Sequence, residues 1–270
     1  MHRQPPATLL NLLQRVTDGA VVPDVQVIMD LLVAMCRSAA GLLHQVHSRV
    51  ISDVHRHFLA HFGTLRRATL ELDFAHALEA QALLAAAADS ASLRHLTIFC
   101  CGLTDENMAT LAHMVPRLPR LSLHIDHNLH FGDAGMTVLV EALCDPRTRP
   151  VDLSASETHF GPAGLEALIV ALAANCPLEH LNLSACYSFQ DACPRLVAAL
   201  ATNTKLQVLG LEGTARRSVL PPAVHALTHG NITLVELNLR HCNFDPAREP
   251  LCRRLDNLLT RNVRQRTRTG

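Results

Sequence analysis

Tryptophan is absent from this chain, tyrosine occurs once, and Lys205 is the single lysine among 24 basic residues. Aromatic residues make up 3% of the sequence, although hydrophobic residues make up 49%. With so few large rings, the interior must be built mainly from Leu, Ala and Val side chains. This composition suits thin apolar layers better than one thick globular core.

The chain also lacks an excess of either charge and any long apolar run. It carries 24 basic and 24 acidic residues, so no global field directs it towards nucleic acid or an anionic membrane. No uninterrupted apolar stretch approaches the roughly 18 residues that a membrane-spanning helix needs. The residues after Met1 do not begin a secretory signal peptide. We therefore expect a cytoplasmic protein with no membrane partner, and nucleic acid is a disfavoured partner.

One short phrase, L-x-x-L-x-L, recurs along most of the chain. Clear copies begin at Leu93, Leu178, Leu206 and Leu234, and weaker copies begin at Leu65, Leu118 and Thr148. Successive copies start 25 to 30 residues apart. This pattern and period are typical of leucine-rich repeats, whose stacked units build surfaces that hold other macromolecules.

Each repeat predicts a strand followed by a helix. The fourth and sixth positions of the phrase alternate, so they face inward from a short strand. The segment Thr104–Val115 has a capping residue, early acidic residues and apolar positions at helical spacing, and Gly161–Leu172 places a proline in the first helical turn. Because each helix returns the chain to the same edge, the strands are expected to be parallel. The predicted fold class is an α/β solenoid with strands inside and helices outside.

Three of the nine cysteines, Cys101, Cys186 and Cys242, follow the strand at the same place in the repeat. A small side chain there can shield turn backbone groups that would otherwise be buried unpaired. The odd number of cysteines and the absence of a C-x-x-C pair favour buried thiols and a reducing compartment. In the other units, the same place is assigned to Asp73, Asp126, Ser156 and Thr214.

The repeats resemble the ribonuclease-inhibitor class of leucine-rich-repeat protein from residue 65 to about residue 262. The resemblance implies a horseshoe-shaped, non-enzymatic scaffold that binds a protein partner through its concave face, with no cofactor. It does not identify the partner. Repeat proteins of this kind include bacterial effectors, so export into a host cell is an alternative to a resident cytoplasmic role.

The repeats divide the chain into three parts. Residues 1–64 carry no copy of the phrase and predict a helical N-terminal region or cap. Residues 65–262 form about seven repeats with a C-terminal capping helix, and residues 263–270 form a basic tail. Residues 247–270 contain seven arginines and two acidic residues, a net charge of +5. We interpret the tail as solvated, with RNA or nuclear-import contacts as the alternative.

The N-terminal region offers a second resemblance. Residues 31–38, together with Leu42 and Leu43, resemble the closing stretch of an F-box, and Pro6 with the leucines that follow it resembles the opening. The resemblance implies docking on a Skp1-type adaptor through residues 1–64, as in a substrate adaptor of a ubiquitin ligase. The sequence departs from the motif because no acidic residue follows Pro6 and no aromatic residue follows Arg37.

Strand alternation also selects candidate residues for the concave face. The position between the two inward residues is predicted to form a central row of small polar side chains. A basic stripe of Arg67, His95, Arg120, His124 and His180 flanks this row, with Phe99 as an aromatic anchor. The complete set of candidate binding residues is Arg67, His95, Thr97, Phe99, Arg120, Ser122, His124, Asp152, His180, Asn182, Asn238 and Arg240.

Candidates for chemistry are few. His124, His127 and His130 lie near Asp126 and Asp133, but an irregular turn gives no reason for them to converge, so no metal site is predicted. The turn cysteines are expected to be inert because they are buried away from positive charge. If the protein instead activates a GTPase, Arg216 and Arg217 in an exposed turn are the candidate residues.

Overall fold

The computed structural model describes residues 68–73, 84, 93–99, 102–118, 120–245 and 249–269. For residues 68–73 and most of residues 93–99, only the course of the backbone is described. The helical region predicted for residues 1–64, with its F-box-like motif, lies outside the described residues.

Seven short strands form one parallel sheet in chain order. They are β1 (Ala68–Asp73), β2 (Leu93–Phe99), β3 (Leu121–His124), β4 (Val151–Ser154), β5 (Leu178–Asn182), β6 (Val208–Gly210) and β7 (Glu236–Asn238). Each predicted repeat contributes one strand, and we number the units 1 to 7 after their strands. The predicted α/β architecture is therefore confirmed.

Helices return the chain from one strand to the next. They are α1 (Asp105–Met114), α2 (Asp133–Leu143), α3 (Pro162–Ala173), α4 (Cys193–Ala198), α5 (Leu220–Thr228) and α6 (Pro250–Thr269). Short 3-10 turns span Val115–Arg117, Tyr187–Ala192, Ala199–Ala201 and Arg217–Val219. As predicted, α1 begins after Thr104, whose backbone N–H donates to Asn107 Oδ1 at 2.9 Å, and Pro162 occupies the first turn of α3.

The core is a continuous layer between the sheet and the helices. The inward leucine at the centre of each strand from β2 to β6 is at most 2% exposed: Leu96, Leu123, Leu153, Leu181 and Leu209. Behind them, three buried phenylalanines in successive units form a spine, with ring centroids 6.4 Å apart for Phe131 and Phe160 and 4.9 Å apart for Phe160 and Phe189. Each unit therefore buries its apolar side chains against its neighbours, as a solenoid requires.

An aspartate at the start of one helix caps the start of the next. Asp133 Oδ1 accepts hydrogen bonds from the backbone N–H groups of Gly161 and Gly164, both at 2.7 Å. Asp105 Oδ1 accepts in the same way from the corresponding glycines of the following unit, at 2.8 and 2.9 Å. A Cβ on Gly164 would lie 3.0 Å from the Asp133 carboxylate and 2.8 Å from a Phe160 ring carbon, so this place needs glycine. These carboxylates satisfy N–H groups that no intrahelical acceptor reaches.

Strand pairing corrects the predicted register in three units. Ser122 pairs with Asp152, and Asp152 pairs with His180. The phrases in units 3 and 4 therefore begin at Arg120 and Pro150, two residues later than predicted, and Thr69 opposite His95 shows the same shift in unit 1. A shift of two residues preserves which side chains face inward, because strand alternation has a period of two. Leu118 and Thr148 are buried as well, although they precede the corrected starts; the Thr148 hydroxyl group donates to the carbonyl oxygen of Ala142.

The same shift changes the residues assigned to the turn after each strand. Side chains there donate to backbone carbonyl groups at the strand ends; they are Asn128, Thr158, Cys186, Thr214 and Cys242. Cys186, Thr214 and Cys242 were predicted correctly. Asp73, Asp126 and Ser156 were assigned wrongly, because each lies two residues before the turn position of its unit.

A disulfide joins Cys144, directly after α2, to Cys176, after α3. Among the described cysteines, Cys186, Cys193, Cys242 and Cys252 are free thiols. Cys186 and Cys242 thus match the expectation of turn thiols, but the disulfide does not match the expectation of a reducing compartment, where such bonds are rare. The two cysteines are 32 residues apart and are brought together only by the stacking of units 3 and 4, so no local sequence pattern predicts the bond.

The C-terminal helix α6 is 20 residues long and continues through residues 263–268, which the sequence analysis assigned to a separate tail. Side-chain hydrogen bonds join α6 to the strand segments of units 6 and 7. Asn262 Nδ2 donates to the carbonyl oxygen of Leu234 at 2.8 Å, and Arg266 Nη1 donates to Gln207 Oε1 at 2.8 Å. The Arg266 contact thus joins the last part of α6 to unit 6. None of the described helices is both long enough and apolar enough to cross a bilayer.

We predict that Asp133→Ala lowers the free energy of unfolding by about 1–3 kcal/mol, because two N–H groups at the start of α3 lose their acceptor. Urea denaturation followed by circular dichroism measures this loss. Glu166→Ala is the matched control, since that carboxylate makes only an exposed ion pair with Arg195 and should cost at most about 1 kcal/mol. Equal losses for the two variants would contradict the capping role.

Candidate protein-binding face

The outward side chains of the strands form two parallel rows, and the pairing register defines them. The first row contains Ser122, Asp152, His180, Val208 and Glu236. The second contains His124, Ser154, Asn182, Gly210 and Asn238. We call the outward surface of units 3 to 7, over residues 120–126, 150–156, 179–184, 207–212 and 235–240, the strand face. In a repeat solenoid this is the concave side.

Hydrogen bonds between units hold the second row in place. Ser154 Oγ donates to Asp126 Oδ1 at 2.6 Å, and Asn182 Nδ2 donates to Ser154 Oγ at 3.0 Å. Further along the face, Asn238 Nδ2 donates to Glu212 Oε2 at 3.0 Å. Each bond joins consecutive units, so the polar side chains are positioned before any partner arrives. A surface fixed in this way loses little side-chain entropy on binding.

A depression of about 450 Å³ lies across the strand face from unit 3 to unit 7. Gly210 lies within the depression. A Cβ atom on Gly210 would come within 2.5 Å of Asn182 Oδ1, because the side-chain amide of Asn182 in the neighbouring unit packs against the glycine. Val208 supplies an apolar patch beside it, while Glu212 and Glu236 supply carboxylates. The depression therefore offers small polar, apolar and acidic groups within one surface.

The charges of the strand face differ from the predicted basic stripe. Arg120 Nη2 lies 2.9 Å from Glu179 Oε2 and 3.8 Å from Asp152 Oδ2, and His180 Nδ1 lies 3.3 Å from Asp152 Oδ1. Both stripe residues thus face carboxylates of neighbouring units. The face carries five carboxylates (Asp126, Asp152, Glu179, Glu212, Glu236) and two arginines (Arg120, Arg240), a net charge of −3 with neutral histidines. The strand face is therefore acidic overall, although it contains the basic stripe residues Arg120, His124 and His180.

Four predicted binding residues belong to the first two units. His95 aligns with Ser122 in the first row and Thr97 aligns with His124 in the second, while Phe99 ends β2 opposite Asp73. Only their backbones are described, and Arg67 lies outside the described residues. The basic and aromatic character expected for this end of the face stays a prediction. The structure also adds Glu179 to the strand face. Alternation did not select this residue, because unit 5 places two outward residues, Glu179 and His180, between the inward Leu178 and Leu181.

The histidine-rich turns do not gather into a metal centre. His127 Nε2 lies 3.0 Å from Glu157 Oε1, and His124 Nδ1 lies 3.9 Å from Asp126 Oδ2. Within the part of the chain that the structure describes, no three His, Cys, Asp or Glu side chains are grouped so that they could hold a metal ion. His124 and His127 instead each face one carboxylate.

The free thiols are unsuited to nucleophilic chemistry. Burial raises the pKa of the Cys193 thiol to about 12, and burial also raises the pKa of the Cys186, Cys242 and Cys252 thiols. Because the thiolate is the reactive form, these side chains stay protonated and inert near neutral pH.

Both arginines considered for a GTPase-activating role are engaged within the chain. Arg216 donates to Asp191 and to Gln190, and Arg217 Nε lies 2.8 Å from Glu249 Oε1. The side chains remain largely exposed, but each would have to leave its partner before reaching another protein.

Comparison with known proteins agrees with the repeat architecture. A family model described as "Leucine Rich repeat" matches residues 230–247, which include β7 and the turn after it. The chain is similar to a yeast Rad7–Elc1 complex structure at 14% identity and a TM-score of 0.47, over 87% of this chain and 68% of that chain. It is similar to the Caenorhabditis elegans tropomodulin C-terminal domain at 12% identity and a TM-score of 0.32, over 78% and 96% of the two chains. With the strand order and the family match, the fold is an α/β leucine-rich-repeat solenoid.

We predict that Cys193 in the native chain reacts with iodoacetamide at pH 8 about a thousandfold more slowly than in the urea-unfolded chain. Its raised pKa leaves almost no thiolate at that pH, whereas an unfolded cysteine has a pKa near 8.5. Mass spectrometry of tryptic peptides after timed labelling measures the two rates. Fast labelling of native Cys193 would reveal an activated thiol and reopen an enzymatic role.

Proposed function

We propose that this chain is a non-enzymatic protein-interaction scaffold of the ribonuclease-inhibitor-like class, and that its strand face is the binding surface. The depression across units 3 to 7 carries the proposal, because it combines a floor of prearranged polar groups with the part-exposed side chain of Val208. Positioned hydrogen-bonding groups around apolar contacts are the usual composition of a protein-binding surface. The inert thiols and internally paired arginines support a binding role over a catalytic one.

The charge of the strand face favours a partner with a basic surface. Its net charge of −3 arises mainly around the depression, which Asp152, Glu212 and Glu236 all line. Arg120, held by Glu179, shows that a guanidinium group fits against these carboxylates. Opposite charges of this kind speed association and select partners, so we expect binding that weakens as salt concentration rises.

The alternative role as a substrate adaptor depends on residues 1–64, which lie outside the described residues. Docking on a Skp1-type adaptor therefore stays a prediction from the F-box-like leucines. The cytoplasmic location and export into a host cell also stay predictions. The Cys144–Cys176 disulfide is an argument for an oxidising environment at some stage of the protein's life.

We predict that Val208→Arg abolishes or weakens partner binding at least about 10-fold, because a long cation would fill the depression and oppose a basic partner. Val208 is part-exposed within the depression and forms no side-chain hydrogen bond, so the fold should tolerate the change. Affinity capture with quantitative mass spectrometry compares the proteins retained by the wild-type and variant chains. The strongest hits are then tested as purified proteins.

Val170→Arg is the matched control, since Val170 is 61% exposed on helix α3, away from the strand face. Proteins lost with Val208→Arg but kept with Val170→Arg are expected to bind the strand face. If both variants retain the same proteins as the wild type, the strand face is not the binding surface.

A further inference from the structure

Among the described strands, β7 is the last strand of the sheet, and its outer edge has no strand paired with it. Between the earlier units, backbone N–H groups after each strand donate to carbonyl oxygens of the next unit. The observed pairs are Leu183 to Gly210 and Ala185 to Glu212, then Leu211 to Asn238 and Gly213 to Arg240, at 2.8–3.0 Å. In the same pattern, the N–H groups of Leu239 and His241 point beyond β7, where the structure describes no further strand. An edge of this kind is a template for another strand.

The apolar side chains at this end are incompletely covered. Leu237 is partly exposed, whereas its equivalents Leu181 and Leu209 are at most 1% exposed. Leu239 is 8% exposed, whereas its equivalent Leu211 is fully buried. The missing contacts are those that an eighth unit would provide.

Helix α6 stands opposite this edge and does not close it. Leu255, Leu259 and Val263 are four residues apart, so they lie on one face of the helix. Leu255 is 3% exposed, Leu259 is partly buried and Val263 is 44% exposed, so the burial of this helix face decreases towards the C-terminal end of α6. Between this face and β7 lies a cleft of about 600 Å³, which all three side chains line together with Leu237 and Leu239.

We propose that this terminal cleft binds an extended segment of another protein, which adds to the sheet as an eighth strand parallel to β7. Backbone hydrogen bonds to the open edge would supply affinity, and alternate side chains entering the cleft would supply selectivity. The cleft is at the end of the solenoid and includes helix α6, so the proposal goes beyond binding on the strand face.

The register of the sheet specifies the chemistry of the segment. Continuing the alignment of β6 with β7 places successive residues of the new strand opposite Glu236, Leu237, Asn238, Leu239 and Arg240. Glu236 and Arg240 are both exposed, so opposite charges are favoured beside them. The residues opposite Leu237 and Leu239 enter the cleft and should be apolar. The fitting pattern is therefore basic, apolar, small polar, apolar, acidic.

The experiment uses the full chain and two fluorescein-labelled, end-capped peptides, Gly-Arg-Leu-Ser-Leu-Glu-Gly and Gly-Glu-Leu-Ser-Leu-Arg-Gly. Their composition and net charge are identical, and only the order of the two charges differs. Fluorescence anisotropy up to about 1 mM chain, the weak end of the affinity scale, should show the first peptide binding at least about 10-fold more tightly than the second.

Variants on the two sides of the cleft test its location. Val263→Asp should weaken the first peptide at least about 10-fold, and Val170→Asp on α3 should leave it unchanged. The double variant Glu236→Arg/Arg240→Glu should reverse the preference between the two peptides, a result that loss of folding cannot mimic. Thermal unfolding by circular dichroism verifies that each variant is folded.

Asp152→Arg separates this proposal from the strand-face proposal, since Asp152 lines the depression but not the cleft and lies three strands away from β7. It should leave peptide binding intact even where it abolishes partner capture. Equal binding of both peptides, or binding unaffected by Val263→Asp, would overturn the proposal. Occupation of the edge by a second copy of the chain would also overturn it. Sedimentation would then show a mass larger than that of one chain, Val263→Asp would remove this increase, and neither peptide would bind.

Discussion

Parallel pairing between consecutive strands is the interaction on which the rest of the molecule depends. Each unit is too thin to enclose its own leucines, and backbone N–H groups at its strand find acceptors in adjacent units, as Leu183 does at Gly210 and Gln207 does at Glu179. The phenylalanine spine and the aspartate caps repeat this arrangement on the helical side, because each contact joins one unit to the next. Stability is therefore shared between neighbours along the array, and no unit is an independent domain.

The same pairing determines the surface that a partner would meet. Residues that are 25 to 30 positions apart in the chain become adjacent, so charges widely separated in sequence neutralise one another. Arg120 and Glu179 are 59 residues apart and form a direct hydrogen bond across the strand face. Alignment thus decides which charges face one another: Arg120 and His180 of the predicted basic stripe lie beside the carboxylates of Glu179 and Asp152.

The leucine pattern predicted the sheet, its order, its parallel direction and the residues that face inward. It could not predict the register in units 1, 3 and 4, because alternation of inward and outward residues is unchanged by a shift of two residues. Features that depend on register were therefore partly wrong: the turn residues Asp126 and Ser156, and the membership of the central row. Contacts formed by stacking, such as the Cys144–Cys176 disulfide and the Arg120 ion pair, have no local signal. Of the candidate site, Ser122, His124, Asp152, His180, Asn182, Asn238 and Arg240 do lie on one face.

Because of the aspartate caps, the start of a helix in one unit depends on a side chain of the unit before it. Asp105 serves the helix of the next unit, and Asp133 serves the one after that. A deletion or duplication of part of a unit would separate a carboxylate from the glycines that it caps, whereas the gain or loss of the whole of unit 3 would leave each remaining carboxylate with an equivalent pair. At this place in the array, the chain can therefore lengthen or shorten by one complete repeat without losing a cap, whereas a change by a fragment of a repeat removes the cap from the following helix.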